Sequence, residues 1–337
     1  SLLASEFSDF HIWVLDDGST DLTADIVRRI SETSGRITLL TQPQSKGRTS
    51  KNLQRLIDVS TGEYIMFMSG DDMLSPAFPI DFFIEYMEQH QQTGLILPRI
   101  VAFNQSPTQE SATVYNETFL EILQSGDPKF VCSGHLHKVV SAIFVQGMIV
   151  RRALVEEAGG FDVELTADDY AFVCRLFFLM EKTDWTFKFF SDYFWLYRIH
   201  DDNVHKNSVR QITIISETVG KYIPLQYWED FVWHVPPVQE AEDLLAVEKI
   251  LVNNLNLSYA SEVMVKIVRK SLEFWCRSGN FSQIRKIPFR IHFTLINKFG
   301  LVSLLLKALP FALLSPILKS PAFARSVHRL SNTLKRQ

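Results

Sequence analysis

Ile12-Trp13-Val14-Leu15-Asp16-Asp17-Gly18-Ser19-Thr20-Asp21 is the stretch on which the fold turns. Four apolar residues in a row read as a buried strand, and the strand runs straight into two carboxylates and a glycine turn. Ser19, Thr20 and Asp21 can cap a helix that begins near Leu22. In an open α/β sheet, ligands collect at the carboxyl ends of the strands, where this acidic turn would lie. A carboxylate there accepts hydrogen bonds from a base or a ribose, but it repels a phosphate. The same residues also suit a surface turn with a helix cap, so the reading needs a second element.

Gly62-Glu63-Tyr64 leads into the apolar run Ile65-Met66-Phe67-Met68 and then into Ser69-Gly70-Asp71-Asp72. Two acidic turns at the ends of two strands, with a helix between them, can converge on one crevice. Carboxylates behind small residues suit a hard divalent cation, Mg or Mn, which in turn neutralises a substrate diphosphate. Gly159-Gly160-Phe161-Asp162 is a further turn, and Ala167-Asp168-Asp169-Tyr170 opens a helical stretch from Ala171 to Met180. Acidic residues in a first helical turn are favoured by the helix dipole. One of them, held against a hydroxyl, is also a general base. Tyr197-Arg198-Ile199-His200-Asp201-Asp202-Asn203 follows the apolar run Tyr193 to Leu196 and sets His200 beside acids, as a metal-ligand candidate or as a solvated imidazole.

Between these points the first part of the chain alternates strands and helices. Ile12–Leu15, Ile37–Leu40, Tyr64–Met68 and a run from Gly94 read as strands; Leu22–Glu32, Thr49–Val59 and Pro79–Gln91 read as helices. Val145–Val150 reads as a strand facing the crevice, with Arg151 and Arg152 solvated behind it. Thr186–Phe190 and Tyr193–Tyr197 read as two short late strands. The alternation predicts an α/β fold with a mostly parallel mixed sheet flanked by helices, followed by a C-terminal helical region. Leu244–Asn254 and Ser261–Ser278 are its clearest helices. The expected organisation is a first domain over 1–210, a helical extension over 211–284 and a basic tail over 285–337. Residues 104–138, with His135 and His137, read as an insertion in which acceptor specificity could reside.

The order of the four acidic or polar elements resembles the family-2 glycosyltransferases, with their nucleotide-sugar-binding GT-A (Rossmann-like) fold. The resemblance implies a metal-dependent, inverting transfer of a sugar from a nucleotide-diphosphate sugar. It implies that Asp17, with Asp16 beside it, meets the nucleotide base and that Arg48 makes a further nucleotide contact. Asp71 would bind the metal at the diphosphate, with Asp72 supporting it and His200 completing the site. Asp169 would be the catalytic base, next to Asp168. Ser69 stands where the family often has the first Asp of an Asp-x-Asp motif, and Asp168 replaces the usual Glu. Family members open with an apolar strand and a helix. Ser1-Leu2-Leu3-Ala4-Ser5 resembles the tail of that helix, so the first strand is expected to be missing from this chain.

The net charge of -4 hides a division. Residues 285–337 hold ten Lys and Arg and no Asp or Glu, leaving 24 basic against 38 acidic residues elsewhere. An acidic body with a basic tail is not the pattern of a nucleic-acid-binding protein. The apolar run Phe299 to Leu314, broken by Lys307 and Pro310 and flanked by cations, suits peripheral contact with an anionic bilayer, or a helix pair packed on the protein itself. Cys132, Cys174 and Cys276 have no metal-ligand spacing, which fits a reduced, cytoplasmic setting. The expected partners are therefore a nucleotide sugar and a glycan or lipid-linked saccharide acceptor, met at the inner face of the plasma membrane. Two other readings remain: a transferase acting on a polyprenyl phosphate, with Arg151 and Arg152 at the phosphate, and a degenerate nucleotide-sugar-binding scaffold.

Overall fold

The opening strand β1 spans Ile12–Asp16 and lies parallel to β2, Ile37–Thr41, in register from Ile12↔Ile37 to Asp16↔Thr41. Helix Thr23–Ser34 makes the crossover between them; Asp21 Oδ1 accepts from the Thr23 N–H at 3.0 Å where it starts. The structure, a computed structural model, describes residues 1–5, 7–44, 49–103, 117–133, 136, 143, 145–166, 169–200, 207–228, 237–288 and 291.

Five further strands make a second sheet: β3 (Tyr64–Met66), β4 (Met73–Leu74), β5 (Thr93–Phe103), β6 (Ile149–Arg151) and β7 (Thr186–Arg198). Their order is β3-β6-β5-β7-β4. The sheet is mixed: β5 and β7 are parallel, while β6 runs against β3 and β5, and β4 runs against β7. Two reversals cancel, so β3, β5 and β7 all finish at the same end of the sheet. The segment after β3 then carries the chain from one edge to β4 at the other, which lays Ser69–Asp72 across that end.

The core explains the strand register. Leu95, Ile96 and Leu97 of β5 and Trp195 of β7 are buried, and Trp195 meets Phe78 edge-on at 6.3 Å. The two late apolar runs are one strand, not two. Both halves pair with β5, and the register slips between Pro98 and Arg99. Proline has no N–H to give to the ladder, so an irregularity at Pro98 is where the pairing yields.

Arg151 and Arg152 are bonded into the fold rather than left free in solvent. Arg151 is buried; it donates to Glu63 Oε1 at 2.7 Å and to the Met87 carbonyl at 2.8 Å, with its guanidinium over the Tyr64 ring. Arg152 donates to the Gly62 carbonyl and to Ser60 Oγ. Arg151 pairs with Tyr64, the first residue of β3, so both cations brace the end of the strand remote from Ser69–Asp72.

The described residues form two compact units, one drawn from 1–206 and 213–234 and the other from 207–212 and 235–337. In the second unit, helices Asp243–Asn254 and Leu257–Arg277 bury Leu244, Val247, Val263, Ile267 and Trp275. Asn256 caps the longer helix by accepting from the Tyr259 N–H at 2.9 Å, and Trp275 Nε1 donates to the Gln239 carbonyl. Among the described residues, no helix is long and apolar enough to cross a membrane. The apolar run Phe299 to Leu314 lies outside the described residues, as do His135, His137 and about half of the 104–138 insertion. Cys132, Cys174 and Cys276 are free thiols.

Arg151→Met keeps the packing volume but strips the Met87 carbonyl of its donor. The expected loss is about 1–3 kcal/mol in denaturant-melt stability, with turnover per folded molecule unchanged. A variant as stable as the parent would mean that the buried guanidinium braces nothing.

Candidate functional site

The first acidic turn divides its two carboxylates. Asp16 is buried, and both its oxygens accept from the Ser19 N–H at 3.3 Å, a closure that Gly18 permits at φ 82°. Asp17 is half-buried and accepts from Gln42 Nε2, just beyond β2. The same amide reaches Asn52 Oδ1 at 3.2 Å, on helix Thr49–Val59. Asp16 therefore builds the turn, while Asp17 is the carboxylate held at its surface.

The second turn is locked to the end of β7. Asp72 is buried; its two oxygens accept from Trp195 Nε1 and from the Arg198 N–H, each at 3.1 Å. Burial pushes its carboxyl up to about 6, against the opposing pull of those two donors. Arg198 Nε donates to the Asp71 carbonyl at 2.9 Å, and His200 Nε2 meets Asp71 Oδ2 at 2.9 Å. Ser69 Oγ accepts from Gln146 Nε2 at 3.1 Å, where Gln146 bridges to Phe67. Asp71 and His200 are 39% and 37% exposed, so this pair faces solvent while Asp72 faces inward.

The third turn is clamped from several sides. Phe161 stacks on Phe172 at 4.2 Å and meets Phe67 edge-on at 5.5 Å, which presses Gly159–Asp162 against the start of the Ser69–Asp72 segment. Gln54 Oε1 accepts from the Phe161 N–H at 2.7 Å, and Arg175 Nη1 donates to the Gly160 carbonyl at 2.7 Å. Gly160 sits at φ 63°, and a Cβ there would run into the Gln54 side chain, so any other residue would be strained and would push aside the amide that holds Phe161. Asp162 accepts from Lys221 Nζ at 2.5 Å and from the Tyr222 hydroxyl. Burial alone would raise its carboxyl, but these donors outweigh burial and hold it below the usual carboxylate value.

Asp169 opens the helix Asp169–Lys182, which turns back toward the start of β7. Its charge is felt at Tyr197: burial pushes that phenol up to about 12, and Asp72, Asp71 and Asp169 add to the shift in that order. The contacts among Phe67, Phe161 and Phe172 set the turn ahead of Asp169 beside the Ser69–Asp72 segment. Asp16 and Asp17 join that turn through helix Thr49–Val59, whose Ser50 and Gln54 bond to Leu165 and Phe161. Arg48 and Asp168 lie outside the described residues, as do Asp201, Asp202 and Asn203.

Sequence reading missed Gln42, Gln54, Gln146 and Trp195. Uncharged amides carry no pattern, and Trp195 is hidden in an apolar run. Among the described residues no group of three or more His, Cys, Asp or Glu could hold a metal. The donor set still fits Mg or Mn, which commonly takes one or two protein carboxylates and completes its shell with substrate phosphates and water. Asp71 and His200 supply one oxygen and one nitrogen on an exposed face.

Asp162 titrates lower folded than unfolded. It therefore contributes stability that is complete above the ordinary aspartate value, about 3.9, and is lost as pH falls through its folded value. Asp162→Asn is expected to lower stability at pH 7 and to flatten the acid limb below about pH 4 in denaturant melts. An acid limb identical to the parent's would mean that the Lys221 and Tyr222 contacts carry no linkage.

Comparison with known proteins adds a family. The family model described as Glycosyl transferase family 2 matches residues 1–158. An uncharacterized glycosyltransferase of Escherichia coli (strain K12), YibD, is 32% identical over 76 residues, 23% of this chain and 22% of that protein. The chain thus aligns with less than a quarter of that relative's length. Among solved structures, S. aureus TarS 1-349 in complex with UDP-GlcNAc is 16% identical, with a TM-score of 0.45, over 93% of this chain and 76% of that one. Mannosyltransferase PcManGT from Pyrobaculum calidifontis, in complex with GDP-Man and Mn2+, is 16% identical with a TM-score of 0.46, over 79% of this chain and 69% of that one.

Proposed function

We propose, from the match of residues 1–158 to glycosyl transferase family 2, that the chain moves a sugar, with inversion, from a nucleoside-diphosphate sugar to a hydroxyl of a glycan or lipid-linked saccharide. The observation that carries this is geometric: Asp72 ties the Ser69–Asp72 turn to β7 with His200 against Asp71, and the Phe67, Phe161 and Phe172 rings seat the turn ahead of Asp169 beside it.

In this reading Asp17 accepts hydrogen bonds from the nucleotide base, with Gln42 fixing its rotamer. Arg48 makes a further nucleotide contact, and Asp168 flanks the base. Asp71 and His200 hold Mn or Mg, which when bound supplies Lewis-acid relief of the charge on the leaving diphosphate. Ser69 lies beside the diphosphate. Asp72 acts indirectly, since both its oxygens are engaged by Trp195 and Arg198. Asp169 removes the proton from the acceptor hydroxyl, which attacks the anomeric carbon opposite the leaving group. Inversion follows from that single displacement. The basic stretch 285–337 would keep the enzyme at the anionic inner face of the plasma membrane, where a lipid-linked or nascent surface polysaccharide acceptor is met.

The polyprenyl-phosphate reading loses its cations, because Arg151 and Arg152 are bonded to Glu63 and Gly62 at the remote end of β3. Asp169→Asn in the full-length protein is expected to bind the donor as the parent does while losing about 10²–10⁴ in turnover. Calorimetry for binding and product formation for turnover check this across a panel of UDP- and GDP-sugars. Transfer at the parent rate would remove Asp169 from the role of base.

A further inference from the structure

The loop that leads to Asp169 is held by one stripe of a neighbouring helix. Within the first compact unit, the helical residues Glu217, Lys221 and Tyr222 all bond to it. Lys221 and Tyr222 grip Asp162 at its start. Glu217 grips its end: Oε2 accepts from the Thr166 N–H at 2.7 Å, and Oε1 accepts from the Thr166 hydroxyl at 3.1 Å. Leu165 and Tyr170 pack against Ala171 and Ile214 in the same place, with Tyr222 beside them. Thr166 is three residues before Asp169, and Asp169 opens its helix.

We propose that Glu217 is a positioning residue for Asp169; this rests on the reading of Asp169 as the base. A carboxylate suits the task because it offers two acceptors to one residue, an amide and a hydroxyl at once. Bonds to an ionised acceptor are about twice as strong as neutral ones. Its negative charge also lies close to the start of helix Asp169–Lys182, where the dipole favours it. Glu217 bonds to the loop, so it acts on the chemistry by fixing where the Asp169 carboxylate stands. Misplacing a reacting group by 1 Å can cost about 10²-fold. The Arg175 bonds to Gly160 and Ala158 secure the loop's other half, so losing Glu217 frees the Asp169 end first.

The test is a cycle of variants in the full-length protein, using the nucleotide sugar that the parent hydrolyses fastest from a panel of UDP- and GDP-sugars. Glu217→Ala is expected to lower kcat about 10- to 100-fold while leaving the donor KM and Kd unchanged. Glu217→Gln, which keeps one acceptor, recovers most of the loss. In an Asp169→Asn background Glu217→Ala is expected to cost nothing more, because the group it positions is already gone. Thr166→Val removes only the hydroxyl bond and gives a smaller, equally non-additive loss; it serves if Glu217→Ala does not fold. An unchanged kcat, a loss that adds in full to that of Asp169→Asn, or a change in KM alone would overturn the positioning role while leaving Asp169 as base. A parent inert on the whole panel, or an Asp169→Asn variant with parent turnover, would overturn the reading beneath it.

Discussion

A single buried carboxylate organises the candidate site. Asp72 is taken out of water, which is costly for a charge unless hydrogen bonds replace the hydration. Two N–H groups from β7 do so, one from the Trp195 indole and one from the Arg198 backbone. The compensation is incomplete, as its carboxyl pushed up to about 6 records. In return, the Ser69–Asp72 turn is fixed to the end of β7. Arg198 then reaches the Asp71 carbonyl, and His200 comes against the Asp71 carboxylate. The exposed pair faces solvent because the buried residue next to it is anchored.

The other turns hang on the same frame. Phe67, on the way to Ser69, packs with Phe161 and Phe172, so the glycine turn ahead of Asp169 is seated against the acidic segment by aromatic contact. Helix Thr49–Val59 faces two ways: Asn52 joins Gln42 beside Asp17, while Ser50 and Gln54 hold the loop that ends before Asp169. Asp17 is held by the Gln42 amide, and Asp72 by an indole and a backbone N–H. Such neutral struts hold position without cancelling the negative charge that a cation would need.

Much of the fold was legible because its signals are periodic. Thr49–Val59 was read to the residue, and Thr23–Ser34 and Ile37–Thr41 to within a residue or two. The late strand was read as two because Ser191-Asp192 interrupts the apolar run, and only the pairing with β5 carries the strand through. Arg151 looked solvated because sequence shows charge and not burial; Glu63 and the Met87 carbonyl are far from it along the chain. The acidic positions of the site were legible as motifs, but their division of labour was not. Asp71 and Asp72 are adjacent and identical, and the Trp195 indole and the Arg198 N–H turn one inward. Gln42, Gln54 and Glu217 left no trace, since a side chain that bonds across the fold needs no local pattern.

An anomalous-scattering map of the crystallised full-length protein, soaked with Mn2+ and a nucleoside diphosphate, tests the central claim most directly. The expected result is one Mn peak bonded to the Asp71 carboxylate and the diphosphate, with His200 beside it and Asp169 opening onto the same cavity. A peak placed elsewhere, or Asp71 and Asp169 opening onto separate cavities, would contradict the account.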